Sequence, residues 1–297
     1  MITIDPETLS TAKLQAYLQG VVAPRPIAFA STVSTEGKVN LSPFSFFNVF
    51  SSNPPILIFS PARRVRDNTL KNTLENVLEH NEVVINIVNF AMVEQMSLAS
   101  TEYDKGVNEF VKAGFTQVPS VKVRPPRVAE SPASFECVVK QVVPLGTEGG
   151  AGNLVVCQVV LAHFKDELFD EKGNISPFKA DLVSRMGGDW YCRANGEALF
   201  ELPKPLQTKG IGVDAIPEAI RLSEVLTGNN LGRLGNVETL PTHAQVSEFA
   251  QQSAQIATLR EQYSEGTPAY KKAKHLLAQQ LLAQNKVQEA WLVLLCN

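Results

Sequence analysis

The sequence holds little of what usually marks a chemical site. Its four cysteines, Cys137, Cys157, Cys192 and Cys296, form no CxxC pair, and its four histidines, His80, His163, His243 and His275, are equally scattered. Zinc ligands commonly come two to four residues apart on short turns, so no metal site is expected. There is no G-x-S-x-G elbow and no G-x-x-x-x-G-K-[ST] loop, which disfavours a common serine hydrolase and a P-loop nucleotidase. Neither charge dominates: 27 Lys and Arg against 30 Asp and Glu leave a net charge of −3. A protein that coats nucleic acid needs a strong basic excess, so nucleic acid is not an expected partner. No apolar run approaches the roughly 18 residues of a membrane span. The start, MITIDPETLS, lacks the basic and then apolar segments of an export signal. The expected setting is cytoplasmic, without a membrane partner.

Apolar residues are plentiful, at 44% against 19% charged, which excludes a disordered chain. A folded chain of about 300 residues buries roughly 75% of its surface, so a core can form without disulfides or metal. Cys137 and Cys157 lie in apolar runs and read as small core residues.

Asp5-Pro6 looks like a helix start, with Leu14, Tyr17 and Leu18 on an apolar edge and Gly20 as a possible end. The texture then turns to strands. Ile27 to Val33 and Val39 to Leu41 flank a turn at 34–37, and Ile56 to Phe59 follows a double proline. Val83 to Val88, Phe135 to Val143 and Leu154 to Phe164 continue the pattern, the last two joined by a glycine-rich loop over 146–153. Leu70, Leu74, Val77 and Leu78 place one apolar stripe on a helix expected to begin near Asp67. Shorter helices are expected over 92–99 and 108–113. Strands do not alternate with long crossover helices, so the expectation is a mostly antiparallel barrel with inserted helices. Near Pro203 the composition shifts, and from Ala244 to Asn297 the chain is rich in Ala and Gln with helical spacing, reading as an extension of two or three helices. Two domains are expected, 1–203 and 204–297. Gly210-Ile-Gly212-Val-Asp-Ala215 matches a dinucleotide fingerprint in spelling, but the preceding residues 204–209 make no buried strand and Pro217 follows, so it reads as a turn.

The chemistry concentrates between Pro24 and Thr69. Asn40-Leu-Ser-Pro-Phe44-Ser45-Phe46-Phe47-Asn48-Val-Phe50 sets four aromatic rings among neutral hydrogen-bonding groups, a texture suited to a flat heteroaromatic ligand with a polar edge. The same rings would serve equally as core. Downstream, Ser60-Pro-Ala-Arg63-Arg64-Val-Arg66-Asp67-Asn68-Thr69 brings three arginines to an expected helix start, which reads as a phosphate pocket or as a solvated basic patch.

Pro24-Arg25-Pro26-Ile27-Ala28, Ser31-Thr32-Val33-Ser34, Asn40-x-Ser42-Pro43-Phe44-Ser45-x-Phe47-Asn48, Asn53-Pro54-Pro55 and Arg66-Asp67-Asn68-Thr69 together resemble the flavin reductase-like proteins with an FMN-binding split barrel. Ser131-Pro132, Phe135-Glu136-Cys137 and Met186-Gly187-Gly188-x-x-Tyr191 are similar to later segments of that family. The resemblance covers roughly residues 5 to 200. A lysine often stands in the family where this chain has Arg66. The resemblance implies a six-stranded antiparallel Greek-key barrel that pairs into a homodimer, with FMN near the interface. It places Arg66, Asn68 and Thr69 on the phosphate, with Ser60 beside them, and Thr32, Phe44, Ser45 and Asn48 around the isoalloxazine, partly through backbone groups. It further implies hydride transfer from NADH or NADPH to the flavin and onward to a flavin or small-molecule acceptor. No catalytic residue is assigned, because hydride transfer needs alignment more than an acid or base. The alternative is a non-enzymatic FMN-binding electron-transfer protein.

Overall fold

The strand β1 (Ala28–Val33) lies between two hydrophobic clusters. Side chains on a strand alternate between faces, and here Ala28 and Ala30 join Phe44, Phe59, Ile85, Cys137 and Cys157, while Phe29 joins Leu41, Met92, Met96 and Phe110. The small residues face a crowded barrel interior, and the large one fills the outer layer. The computed structural model describes all residues except Pro203, Gln207, Thr208 and Asn297. It divides into two compact units, Met1–Phe200 and Glu201–Asn297. The domain boundary expected at Pro203 lies outside the described residues, as do two of the residues preceding the glycine motif at 210–215.

In the first unit β2 (Val39–Phe44), β3 (Phe47–Ser52), β4 (Pro55–Phe59) and β5 (Glu82–Ile87) follow β1. The pairs β6 (Gln117–Val118) with β7 (Arg127–Val128), and β10 (Leu182–Arg185) with β11 (Tyr191–Ala194), form small sheets of their own. The long strands β8 (Ala133–Pro144) and β9 (Asn153–Phe164) complete the main sheet, whose order is β2-β1-β5-β8-β9-β4-β3 with every pairing antiparallel. Its two edges, β2 and β3, are consecutive in the chain and separated only by Ser45 and Phe46. The Phe46 carbonyl accepts from the Ser60 amide at 2.8 Å. The sheet therefore closes on itself. Six strands are expected and seven are found, because one of the six bends at Ser45–Phe46 and pairs with β1 before the bend and with β4 after it. Around the closed barrel β4 and β5 stand opposite one another. The connection between them, residues 60–81, is the Greek-key crossing and carries the arginine segment.

Helices cap and flank this barrel. α1 (Thr11–Val21) is capped by Ser10; Asp5-Pro6 starts a separate single turn, Pro6–Thr8, and Gly20 lies inside the helix. α2 (Asn72–His80) buries Leu74 and Val77 in the barrel core but leaves Leu78 exposed. It begins five residues later than expected, because Asn68 adopts a left-handed backbone (φ 57°) that no helix continues through. α3 (Val93–Leu98) and α4 (Glu109–Ala113) place Met96 and Phe110 against the outer face of β1. α5 (Pro177–Ala180) precedes the β10–β11 hairpin. Glu136, fully buried on β8, accepts from the amides of Val121 and Lys122 and bonds His163 Nε2 at 2.7 Å. It thereby ties the 119–124 loop to the barrel.

The second unit comprises α6 (Glu218–Arg221), α7 (Gly228–Gly235), α8 (His243–Gln252), α9 (Ala254–Gln262), α10 (Pro268–Ala283) and α11 (Val287–Leu295). From α8 on, four helices stand where two or three are expected, because Ser253 caps α9 directly after α8 and Thr267-Pro268 opens α10. Ile256, Leu234, Leu282 and the fully buried Trp291 form its core, with the indole N–H donating to the Leu234 carbonyl at 3.1 Å. The glycine motif runs along the chain after α7: Ile211 and Gly212 donate to the Val237 and Gly235 carbonyls. A Cβ on Gly210 would lie 2.5 Å from the Gly235 oxygen, so the glycine serves a close backbone approach.

Burial pushes the Cys137 thiol up to about 12, helped by the Glu136 charge, and raises Cys157 well above its ordinary value. Both should stay unmodified by a thiol-specific disulfide reagent at pH 8 in the native protein and react once it is denatured. Cys192, which is only half-buried, should account for the native reaction. Rapid native labelling of Cys137 or Cys157, read by peptide mass mapping, would contradict this packing.

Candidate functional site

The crossing segment forms a tight turn. The Arg64 amide donates to the Thr69 carbonyl and the Asn68 amide to the Arg64 carbonyl, at 3.0 and 2.9 Å. Two of the three arginines brace this turn from within. Arg63 donates from Nε to Asn68 Oδ1 at 2.6 Å and from Nη2 to the Asn68 carbonyl at 2.8 Å. Arg64 donates from Nη1 to Thr69 Oγ1 at 2.8 Å and from Nε to Glu102 at 3.1 Å. Arg66 is different: its side chain is exposed and is held by Asp67 at 3.0 Å and Glu102 at 2.9 Å. Lys71 follows, its pKa lowered by burial and by Arg64. Four cations thus face two carboxylates, and the turn is a positive patch.

Asp67 shows what those donors can hold. Its carboxylate accepts from the Thr69 hydroxyl at 2.6 Å, from the Thr69 amide at 3.1 Å and from Arg66 at 3.0 Å. These bonds, the Thr69 hydroxyl first, pull its pKa down to about 2. Donors that already gather an anionic group are the donors a phosphate ester requires. Asn68 is fixed on the other side by donating to the Thr147 carbonyl at 3.0 Å. The 145–152 loop lies against the turn: the Gly150 amide donates to Arg63 and the Arg63 amide to Ala151. A Cβ on Gly152 would stand 2.6 Å from Ser60 Oγ, so the glycine leaves room above that buried hydroxyl.

The ring-rich segment meets this turn at the barrel corner, through the Ser60–Phe46 hydrogen bond. Ser45 is half-buried there, and Asn48 is exposed with its Oδ1 accepting from the Val49 amide at 2.8 Å. The Phe44 ring turns into the core, 5.3 Å from the Phe59 ring. Thr32 is fully buried, and its hydroxyl accepts from Asn76 of α2 at 3.0 Å. The structure therefore gathers Ser60, Arg66, Asn68 and Thr69 on one loop and sets Ser45 and Asn48 beside it. The side chains of Thr32 and Phe44 face inward; the Phe44 backbone adjoins the corner, while Thr32 pairs with Asn40 toward the other end of β1. This donor set and its neighbouring aromatic corner fit FMN. Phe46, Val49 and Phe50 are exposed, and a groove of about 420 Å3 lies between Phe46 and Leu14 and Leu18 of α1 with Val22 just after it.

Sequence reasoning passed over a second cationic pair. Arg25 and Arg185 exchange backbone hydrogen bonds, both 2.9 Å, which fasten the β10–β11 hairpin to the start of β1. Arg25 is 7% exposed and donates to the carbonyls of Gln19, Val22 and Met186 at 2.7 to 2.9 Å. The available signal was Met186-Gly187-Gly188: a Cβ on Gly187 would lie 2.9 Å from Gly20 Cα, so the hairpin turn must press on the end of α1. Among the described residues no group of three His, Cys, Asp or Glu could hold a metal ion, and no helix is long and apolar enough to cross a membrane.

Residues 22–178 match the family described as flavin reductase like domain. An uncharacterized protein of Aquifex aeolicus is 40% identical over 189 residues, 64% of this chain and 94% of that protein. Among solved structures, nitrilotriacetate monooxygenase component B from Bacillus cereus superposes with a TM-score of 0.64 at 30% identity, covering 68% of this chain and 98% of its own. The 2-nitrobenzoate 2-nitroreductase of Pseudomonas fluorescens gives 0.59 at 27% identity, covering 70% and 100%.

Because the Asp67 carboxyl is held down in the fold, its contribution to the turn is full above the ordinary aspartate value and is lost as pH falls through about 2. A carbon-13 NMR titration should place the Asp67 carboxyl midpoint near 2, with the Thr69 amide shift following it. A midpoint near the model-peptide value of about 3.9 would show that the turn does not gather an anion.

Proposed function

Since the chain belongs to the flavin reductase like domain family, we propose that it is an FMN-binding oxidoreductase that draws electrons from NADH or NADPH. One observation carries the reading: the Ser60–Phe46 hydrogen bond joins a positive turn rich in hydroxyl and amide donors to an aromatic corner. A ligand with a phosphate at one end and a flat polar ring at the other matches that juxtaposition. Arg66, Asn68 and Thr69 would hold the phosphate with Ser60 beside them. Ser45 and Asn48 would meet the isoalloxazine edge, with Thr32 and Phe44 contributing through backbone.

Bound FMN would supply a hydride acceptor at N5 and a route for electrons to a flavin or small-molecule acceptor. The chain's own contribution is to bind and orient. Arg66 reaches the phosphate by giving up contacts to Asp67 and Glu102, which then repel the new anion and bound the affinity. The apolar rings at the corner exclude water from one face of the flavin. A homodimer accords with the exposed apolar surface of β3 and the end of α1, where Val49, Phe50, Val21 and the capping Val22 lie more than half exposed.

The as-purified protein, or the protein mixed with FMN, should show a bound-flavin absorption band that bleaches anaerobically with NADH or NADPH. Bleaching with neither nucleotide would favour the electron-transfer alternative, and no FMN uptake would end the reading. Arg66→Ala should weaken FMN affinity by roughly tenfold, the order expected for a charge-assisted hydrogen bond; unchanged affinity would make the arginine turn mere surface. Truncation after Phe200 should leave the FMN titration intact, because the barrel closes its own core without the second unit.

A further inference from the structure

At the barrel corner, beside Ser45, the β10–β11 hairpin and α3 enclose a cleft of about 320 Å3. Ligand pockets run from roughly 300 to 1,000 Å3, so this one suits a single-ring molecule better than a dinucleotide. Part of its wall is apolar: Ile27 and Met96, 3% and 1% exposed, line it together with Pro43. Arg185 supplies the charge. Its guanidinium lies over the Tyr191 ring, 4.6 Å from the centroid, and donates from Nη2 to the Gly188 carbonyl at 2.8 Å. Those two contacts hold the guanidinium in place and leave most of its N–H groups for something else.

Behind it stands Arg25, buried, its Nε without a partner among the described residues. Buried charges are normally paired. Here two guanidiniums sit together, and neither bonds a carboxylate among the described residues. Asp189 lines the same cleft but is exposed and makes no bond to Arg185. An apolar wall opposite an uncompensated, ring-braced guanidinium is the arrangement that grips a flat molecule carrying a carboxylate, with a forked pair of charge-assisted hydrogen bonds.

We infer that this cleft binds an aromatic carboxylate, with the carboxylate on Arg185 and the ring against Ile27, Pro43 and Met96. Its role as the substrate site of an oxidoreductase rests on the flavin reading, since Ser45 is shared between the cleft and the proposed flavin edge; the binding itself does not.

Calorimetric titration of the full chain with benzoate, benzamide and inorganic phosphate tests it, alongside a separate visible-absorption titration with FMN. Benzoate should bind at least about tenfold more tightly than neutral benzamide and more tightly than phosphate. Arg185→Gln should lose at least about tenfold in benzoate affinity, and Arg185→Lys should fall between it and the unaltered protein. Asp189→Asn, at an exposed position, should bind benzoate more tightly because a like charge is removed. All three variants should keep their FMN titration. Equal binding of benzoate and benzamide, phosphate binding more tightly than benzoate, or no response to either Arg185→Gln or Asp189→Asn would overturn the proposal. Should Arg185→Gln fail to fold, by circular dichroism, Asp189→Asn decides alone. Failure of FMN to bind while benzoate does would fell the flavin reading and leave the cleft's ligand class standing.

Discussion

The strand running from Val39 to Ser52 has to serve both edges of one sheet, and most of the first unit follows from how it does so. It pairs with β1 up to Phe44, turns at Ser45–Phe46, and pairs with β4 from Phe47 onward. The backbone bond from Ser60 to Phe46 fastens the turn. Without the bend the sheet would keep two open edges, each a row of unpaired backbone groups. With it, the edges meet, the interior fills with Phe44, Phe59, Ile85 and their neighbours, and β4 and β5 are left on opposite sides. The chain must then cross the barrel end, and that crossing is the arginine turn.

Closure also explains why the candidate site lies at a corner. Ser45, Phe46 and Ser60 are positioned by strands that are rigid because they are paired, while the donors beside them stand on the loop that crosses from β4 to α2. Arg63 and Arg64 shape the turn, and only Arg66 projects outward. The sequence shows three arginines of equal standing; the structure separates two braces from an exposed, carboxylate-paired cation through the left-handed Asn68, whose carbonyl and side chain both receive Arg63.

The two cationic centres of the first unit are handled by opposite means. At the crossing turn, Asp67 and Glu102 neutralise Arg66 at the surface, where water screens every pair and an incoming anion competes with existing partners. At the hairpin, Arg25 and Arg185 meet carbonyls and no carboxylate among the described residues; these dipoles hold a guanidinium without cancelling its charge and leave Arg25 Nε unpartnered. The first arrangement suits a multiply charged group that can displace a carboxylate. The second suits a single carboxylate entering beside an apolar wall.

Much of this was legible from residue order. Alternation, apolar runs and turn signals located the main-sheet strands other than β3, the helical spacing past Ala244 marked the second unit, and the linked motifs from Pro24 to Thr69 identified the family, since a strand or helix records its buried face in its own pattern. What the pattern misread were places where a local signal competed with a distant one. The stripe from Leu70 to Leu78 pointed to a helix from Asp67, but the turn contacts of Asn68 delayed it to Asn72. The hydroxyl of Thr32 is likewise taken by Asn76, 44 residues away, a partner no local pattern announces. Composition and periodicity thus determined which elements form and what they bury. Only the folded chain decided that one strand bends to close the barrel, which arginine stays exposed, and that Arg25 meets Arg185, because each depends on backbone pairings between segments too far apart for the sequence to write down.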